Sequence, residues 1–393
     1  MGCKTAAYFP AIVCYTASMT NASTDREKML TALILDWYRR EGRRLPFRGT
    51  KDPYLIWVSE IMLQQTRTET VGAYYLRFID RFPTVQALAG AEEQEVLKLW
   101  EGLGYYSRAR NLHRAAELVV AEYGGRLPAS AEALQRLPGI GPYTAAAIAS
   151  IAFDQPVPAM DGNLQRVLSR LYLVEEDIGI PSVKRRLYQL GQGLMPRQGA
   201  GDVNQALMDI GATICLPGTP DCGRCPLQRH CKAYHQGEPE LLPRMQKKKP
   251  PREVPVAVLL LTHQGRVLVQ QRQQALLRGL YTYVLLEDVE GQQEAQMHLR
   301  CWGLPHATLR ELATARHVFT HRVWQMTLYH AELTEAETGQ AMLPHGQWVT
   351  AEQMHTLPFP TAMRVAVQWA DTLLEKAPAP AQMPRGADAD SAL

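Results

Sequence analysis

Two carboxylates and four thiols are the side chains of this 393-residue sequence whose types and spacing could do chemistry. In YLIWVSEIMLQQT, Ile56, Glu60 and Leu63 recur at helical intervals and share one face, which sets a carboxylate in an apolar stripe. A glutamate at a helix end or surface is ordinary. A buried one has its pKa raised and can hold a proton near neutral pH. Asp161 directly precedes NLQRVLSRLYLV, at the place of a helix N-cap. There N–H donors and the helix dipole should keep it ionised. Cys215, Cys222, Cys225 and Cys231 form a C-x6-C-x2-C-x5-C run with no histidine among them. Four such thiolates suit a tetrahedral zinc or a 4Fe–4S cluster, and spacing does not choose between the two. The chain has seven cysteines, and the other three, Cys3, Cys14 and Cys301, are scattered. That pattern argues against a disulfide framework and for a reducing compartment such as the bacterial cytosol.

The elements that must position these groups begin with residues 137–163, LPGIGPYTAAAIASIAFDQPVPAMDGN. Ser130 can cap a short helix closed by Leu134 and Leu137. Pro138 and Gly139 break it, Gly141 allows an unusual backbone angle, and Pro142 opens the next helix. The result is a helix-hairpin-helix. Its glycine turn can present N–H groups to a phosphate, and the run 145–147 lets helices approach closely. A hairpin that only packs has the same signature. Thr24 and Glu27 have capping-box spacing ahead of EKMLTALILDWYRR, which Gly42 ends, and a second helix starts at Asp52 and Pro53. Further helices are predicted over 85–88, 92–100, 107–123, 131–137, 143–153, 163–174, 183–194 and 203–215. The turn GLGYYSRARN mixes glycine, tyrosine and arginine, suited either to wedging a ring into a base stack or to a core.

Composition is that of a globular protein with room for two cores. The net charge of +3 does not by itself argue for nucleic acid. Local clusters at Arg108, Arg110, His113 and Arg114, at 184–186 and at 247–249 are either basic patches or solvated faces. No apolar run approaches a membrane span. Five segments are predicted. Residues 1–24 are a disordered extension or a misassigned start, Met19 and Met29 lying near the first helix. Residues 25–236 form an all-α domain, and 237–254, rich in proline and lysine, a linker. Residues 255–375 form an α+β domain with strands in VPVAVLLLTHQG, RVLVQQR, LYTYVLLE, HVFTHRVWQMTLYHAEL and QWVTAEQM, and helices near 292–302 and 361–373. Residues 376–393 are a disordered tail.

With these features in order, the chain resembles adenine DNA glycosylases of the MutY type, in the endonuclease III superfamily. SEIMLQQT, GLGYYSRARN, LPGIGPYTAAAIAS, MDGN and the cysteine run carry the resemblance. It implies an all-α helix-hairpin-helix domain holding one 4Fe–4S cluster, followed by a Nudix-like domain. It also implies a monomer that flips adenine out of double-stranded DNA, opposite 8-oxoguanine or guanine, and hydrolyses its glycosidic bond in base excision repair. Glu60 matches the general acid, Asp161 the carboxylate facing the sugar cation, and Tyr143 and Asn163 positions that assist them. Bifunctional relatives carry a lysine nucleophile where Tyr143 stands, so a monofunctional hydrolase is expected. Gly139 and Gly141 fall in the hairpin. Gln65 and Tyr105 match wedge positions, and Leu63, Arg48 and Gln205 the adenine pocket. Phe47 replaces a usual tryptophan, and LPGTPD between the first two cluster cysteines lacks basic residues. The second domain lacks the REUxEExGU helix of a magnesium-dependent Nudix enzyme, so recognition without hydrolysis is expected. Phe319, Thr320 and His321 fall on a Phe-Ser-His recognition loop with threonine for serine, and Gly279 on a glycine near the damaged strand. Rival readings are another glycosylase of the superfamily, acting on thymine opposite guanine or on pyrimidine lesions, and a DNA-binding protein without catalysis.

Overall fold

The computed structural model describes residues 24–246, 250–340 and 346–375; the predicted extension, the 247–249 lysines and the tail from 376 lie outside them. In chain order the helices are α1 (Asp25–Glu41), α2 (Pro53–Leu63), α3 (Thr68–Arg81), α4 (Val85–Ala89), α5 (Glu93–Leu99), α6 (Ser107–Tyr123), α7 (Ala131–Leu134), α8 (Pro142–Phe153), α9 (Gly162–Tyr172), α10 (Pro181–Gly193), α11 (Ala200–Thr213) and α12 (Lys232–Gln236). Then follow β1 (Arg252–His263), β2 (Arg266–Gln271), β3 (Tyr281–Thr282), β4 (Val284–Glu287), α13 (Gly291–Cys301), β5 (Arg310–Val318), β6 (Arg322–Glu332), α14 (Glu335–Gln340), β7 (Gln347–Val349), α15 (Ala351–Thr356) and α16 (Arg364–Glu375). The chain divides into two compact units, Met1–Arg43 with Asp154–Met245, and Arg44–Phe153 with Gln246–Leu393.

In the first unit the Thr24–Glu27 capping box starts α1, whose Leu30, Ile34 and Trp37 recur at i, i+4 and i+7 and are buried. Helix α11 packs against α1 and α9. Asp209 of α11 is fully buried and its carboxylate accepts from the Arg43 backbone N–H at 3.0 Å and Nε at 2.7 Å, so the buried charge is paired.

In the second unit α2 and α8 lie face to face, and Ala145, Ala146 and Ala147 on α8 are buried, as small residues at a close helix contact should be. The sheet is built around β1, which pairs in parallel with β6 (Val256 opposite Met326) and antiparallel with β4 (Val258 opposite Leu285) and β2 (Thr262 opposite Val267). Strand side chains alternate between faces. Val254, Val256, Val258 and Leu260 join a core with α16 residues Ala366 and Ala370, while Ala257, Leu259 and Leu261 join another with Ala295 and Leu299 of α13.

Several elements depart from the sequence reading: α12 and α14 were not predicted, and LYTYVLLE is two strands, β3 and β4. Helix α3 was not predicted, although Val71, Tyr75 and Phe78 form a buried stripe on it. The segment read as one strand through HVFTHRVW is the end of β5, a turn, and β6, and β5 reaches back to Arg310. QWVTAEQM is strand only to Val349; a Thr350–Gln353 capping box then starts α15. No helix among the described residues is long and apolar enough to cross a membrane.

Candidate active site and cluster loop

Glu60 is buried, 6% exposed. Asp52 caps α2 by accepting from Tyr54 N–H at 2.8 Å, Pro53 fits the first turn, and two helical turns later Glu60 faces inward with Ile56. Tyr143, in the first turn of α8, donates its hydroxyl to Glu60 Oε2 at 2.7 Å. One residue further, Thr144 Oγ1 accepts from Gln64 Nε2 at 3.0 Å, so the end of α2 and the start of α8 are tied twice. The hairpin turn that delivers Tyr143 differs from expectation in one detail. The residue in the left-handed region is Gly139, with φ +76°, and not Gly141. A Cβ on Gly139 would lie 2.7 Å from Asn111 Cβ, whereas one on Gly141 would meet open space. Helix α7 is also shorter than predicted, ending at Leu134.

A cleft of about 240 Å³ in the same unit is lined by Gln64, Gln65, Tyr105, Ser107, Asn111 and Gly139, among others. Gln65 (φ 58°) and Tyr105 (φ 48°) both hold left-handed backbone, which costs a non-glycine residue of order 1 kcal/mol. Arg108 supports both segments. Its guanidinium donates to the carbonyls of Ile61 (2.9 Å) and Met62 (2.8 Å) below Gln65, and of Leu103 (3.0 Å) and Gly104 (3.0 Å) before Tyr105. Burial pushes its pKa down to about 10, still charged at neutral pH. Arg108 and His113 are therefore interior groups, neither a phosphate-facing patch nor a solvated face. In the sequence Arg108 looked like its exposed neighbours; the glycine-rich turn just before it, rich in unpaired carbonyls, was the available signal.

Residues of the sheet reach the same region of this unit. Tyr105 Oη and Thr320 Oγ1 share a hydrogen bond at 3.2 Å. Thr320 and His321 are exposed at the β5–β6 turn, and Phe319 anchors it edge-on to Trp324, ring centroids 4.9 Å apart. Gly279, with φ +78°, receives Gln94 Nε2 at its carbonyl at 3.5 Å, and the neighbouring Arg278 carbonyl accepts from Arg110. Leu63 ends α2 half-buried, Arg48 is half-buried in the preceding turn, and Phe47 is buried against Tyr75.

In the first unit Asp161 is the N-cap of α9, as predicted. Its Oδ1 accepts from Leu164 N–H at 2.7 Å and its Oδ2 from Asn163 Nδ2 at 2.7 Å. Burial raises its pKa, against the downward pull of Leu164, Asn163 and Arg166. Arg166, which the sequence reading passed over, donates to Asn163 Oδ1 at 2.8 Å, to the Gly211 carbonyl at 2.7 Å and to the Cys215 carbonyl at 2.7 Å. Its place one turn after Asn163 was the legible signal. Gly211 is required for this approach, since a Cβ there would stand 2.5 Å from Asn163 Cβ. Gln205 is buried on α11, its amide 3.4 Å from the Gly201 carbonyl.

Cys215, Cys222, Cys225 and Cys231 are all free thiols. Burial raises the pKa of Cys222, Cys231 and, to about 12, Cys225, and a neighbouring cysteine, Cys215 in each case, raises it further. Backbone N–H groups of Leu227 and of Tyr234 and Ala233 point at Cys225 and Cys231. Arg170, fully buried, donates to Cys215 Sγ at 3.3 Å and to the Leu216 and Gly218 carbonyls. Among the described residues no three His, Cys, Asp or Glu side chains are grouped to hold a single metal ion. Four thiols supported by N–H donors and an arginine fit an anionic, thiolate-ligated iron–sulfur cluster.

The chain's residues 58–192 match the HhH-GPD superfamily of base excision DNA repair proteins, and residues 256–369 match the NUDIX domain. Fold and site thus define a base excision DNA repair protein with a NUDIX-like second part. An adenine DNA glycosylase of Mus musculus is 36% identical over 84% of this chain and 76% of its own length. That of Homo sapiens is 37% identical over 84% and 72%, and that of Buchnera aphidicola subsp. Baizongia pistaciae (strain Bp) 43% over 51% and 57%. The chain belongs to the adenine DNA glycosylase family, hydrolases that cleave N-glycosyl bonds.

Proposed function

We propose that this enzyme removes adenine from duplex DNA where it stands opposite 8-oxoguanine or guanine, by hydrolysis alone and without strand cleavage. The observation that carries the reading is the pair formed by buried Glu60 and Tyr143 at 2.7 Å. Adenine leaves readily only when protonated, and a carboxyl group among apolar side chains is the group to supply that proton. The Tyr143 hydroxyl orients the carboxyl and offers no amine for a Schiff base. Asp161, held between Leu164 N–H and the Asn163 amide, then faces the sugar as positive charge develops, and its half-buried setting makes that electrostatic contact stronger than in water.

By the resemblance, Arg48 and Leu63 of the second unit and Gln205 of the first would contact the extruded adenine. Gln65 and Tyr105 fill the gap beside the opposing base, and Phe319, Thr320, His321 and Gly279 read it. The hairpin turn at Gly139 and Gly141 takes a backbone phosphate. The four cysteines would hold the 4Fe–4S cluster, which supplies a rigid, charged cross-link when bound. Arg166 donates to both the Cys215 carbonyl of that loop and Asn163 Oδ1, and Arg170 donates to Cys215 Sγ.

The test is base release from four otherwise identical duplexes: adenine opposite 8-oxoguanine, guanine or thymine, and thymine opposite guanine, each with and without hot alkali. Breaks opposite 8-oxoguanine and guanine that need alkali are expected. Breaks without alkali would reveal a lyase nucleophile, and release of thymine would move the chain to another specificity.

A further inference from the structure

Glu287 is the last residue of β4, one-quarter exposed, and it belongs to no motif of the sequence analysis. Its two carboxylate oxygens go to two arginines that stand at the feet of two different loops. Oε1 accepts from Arg272 Nη2 at 2.8 Å, and Oε2 from Arg322 Nη1 at 3.0 Å. Arg272 is buried, and it is the stem of the loop that ends in Gly279. Its backbone N–H donates to the Leu280 carbonyl at 2.9 Å, its carbonyl accepts from Gly279 N–H at 2.8 Å, and its Nε donates to the Leu276 carbonyl at 3.2 Å. Arg322 closes the other loop, since its carbonyl accepts from Phe319 N–H at 2.8 Å. The Arg272 guanidinium also lies 5.6 Å from the ring centroid of Trp324, on whose edge Phe319 packs.

We infer that Glu287 is a positioning residue for reading the base opposite adenine: one carboxylate ties the Gly279 loop to the Phe319–Thr320–His321 turn and fixes the gap between them. The inference rests on the proposed reading that these two loops face that base. The physical reason is geometric. Each loop alone is a short excursion from the sheet, free to shift by fractions of an ångström, and discrimination of one base from another that differs by an oxygen and a proton needs donors set within about 0.5 Å. Two charge-assisted bonds converging on a single planar group hold both stems to one another, and Arg272, buried and with its charge matched by Glu287, cannot follow a displaced loop outward without losing its partner.

Full-length enzyme carrying Glu287→Gln is compared with wild type for affinity toward inactive-analogue duplexes with 8-oxoguanine or guanine opposite the adenine analogue, and for single-turnover excision from both. The ratio of affinities should fall about tenfold, with the excision rate at saturating enzyme opposite guanine kept within twofold. Arg322→Gln, at a half-exposed position, is the second variant and covers the event that Glu287→Gln does not fold. It should lower the same ratio, and the double variant should be no worse than Glu287→Gln alone, because both remove one link. An unchanged ratio in either folded variant, or equal losses for both duplexes with a lowered melting temperature, overturns the assignment. A wild type with no preference for 8-oxoguanine would instead remove the underlying reading.

Discussion

At the scale of single residues the two carboxylates differ in setting, Glu60 buried and Asp161 half-buried. Glu60 sits in an apolar stripe with a tyrosine hydroxyl on it; Asp161 sits at a helix start among donors. Replacing Glu60 by glutamine keeps the shape and removes the transferable proton. Single-turnover excision should drop by about 10²–10⁴ while duplex affinity in a gel-shift titration stays within a few-fold. Excision at the wild-type rate would take Glu60 out of the mechanism. Asp161 carries a prediction about stability and pH. Its pKa is raised on folding, so between the ordinary carboxylate range and the raised value the folded state binds more protons than the unfolded one, and stability falls as pH rises through that window. Above the raised value the native protein bears the cost of an ionised, largely enclosed group. Asp161→Asn keeps an N-cap for Leu164 and removes that charge, so above that value it should be more stable than wild type, although inactive. The gap in urea unfolding should narrow as pH is lowered through that window. A less stable variant above the raised value would mean that the hydrogen bonds outweigh the burial.

At the scale of elements the helices carrying the candidate site were mostly legible, because their start signals are local. Thr24, Asp52, Ser130 and Asp161 each cap as their spacing implies. What local reading missed depends on tertiary context. Helix α3 has its apolar stripe but no side-chain cap hydrogen bond, so nothing announced its start. Arg108 and Arg110 are two residues apart and chemically alike, yet one is an interior clamp and the other reaches Arg278 at the surface; only packing separates them. Likewise the number of N–H donors around Asp161 was readable, while the burial that outweighs them was not. The hairpin glycines make the same point testable. Gly139 and Gly141 look equivalent in LPGIGPY, but only Gly139 combines positive φ with a neighbour under its missing Cβ. Gly139→Ala should destabilise by roughly 1–3 kcal/mol and weaken duplex binding, while Gly141→Ala should leave the melting temperature nearly unchanged. Equal effects at both positions would show that the turn relaxes to accept a side chain.

At the scale of the molecule, the second unit joins helices from one half of the sequence to the sheet from the other, through backbone groups that both parts must present in register. Lys98 Nζ donates to the Leu357 carbonyl at 3.0 Å, Tyr106 Oη to the Phe359 carbonyl at 3.2 Å, and Glu101 Oε1 accepts from Phe359 N–H at 3.1 Å. These bonds flank the Tyr105–Thr320 contact, so that contact is made by a turn already docked. Threonine keeps the hydroxyl that the resemblance leads one to expect of serine, and adds a methyl group. The hydroxyl is the part that matters here: Thr320→Ser should bind an 8-oxoguanine-containing duplex like wild type, because the 3.2 Å bond to Tyr105 survives. Thr320→Val has nearly the same shape without the hydroxyl. The loss of one net hydrogen bond predicts a roughly 2–12-fold weaker affinity for that duplex, with single-turnover excision from saturated complex unchanged, since Glu60 is untouched. Fluorescence anisotropy on an uncleavable duplex measures the first quantity and rapid quench the second. A valine variant that binds as tightly as wild type would show that the turn reads its base through Phe319 and His321 alone. A loss of excision at saturation would mean that the turn also governs how adenine is presented to the buried carboxylate.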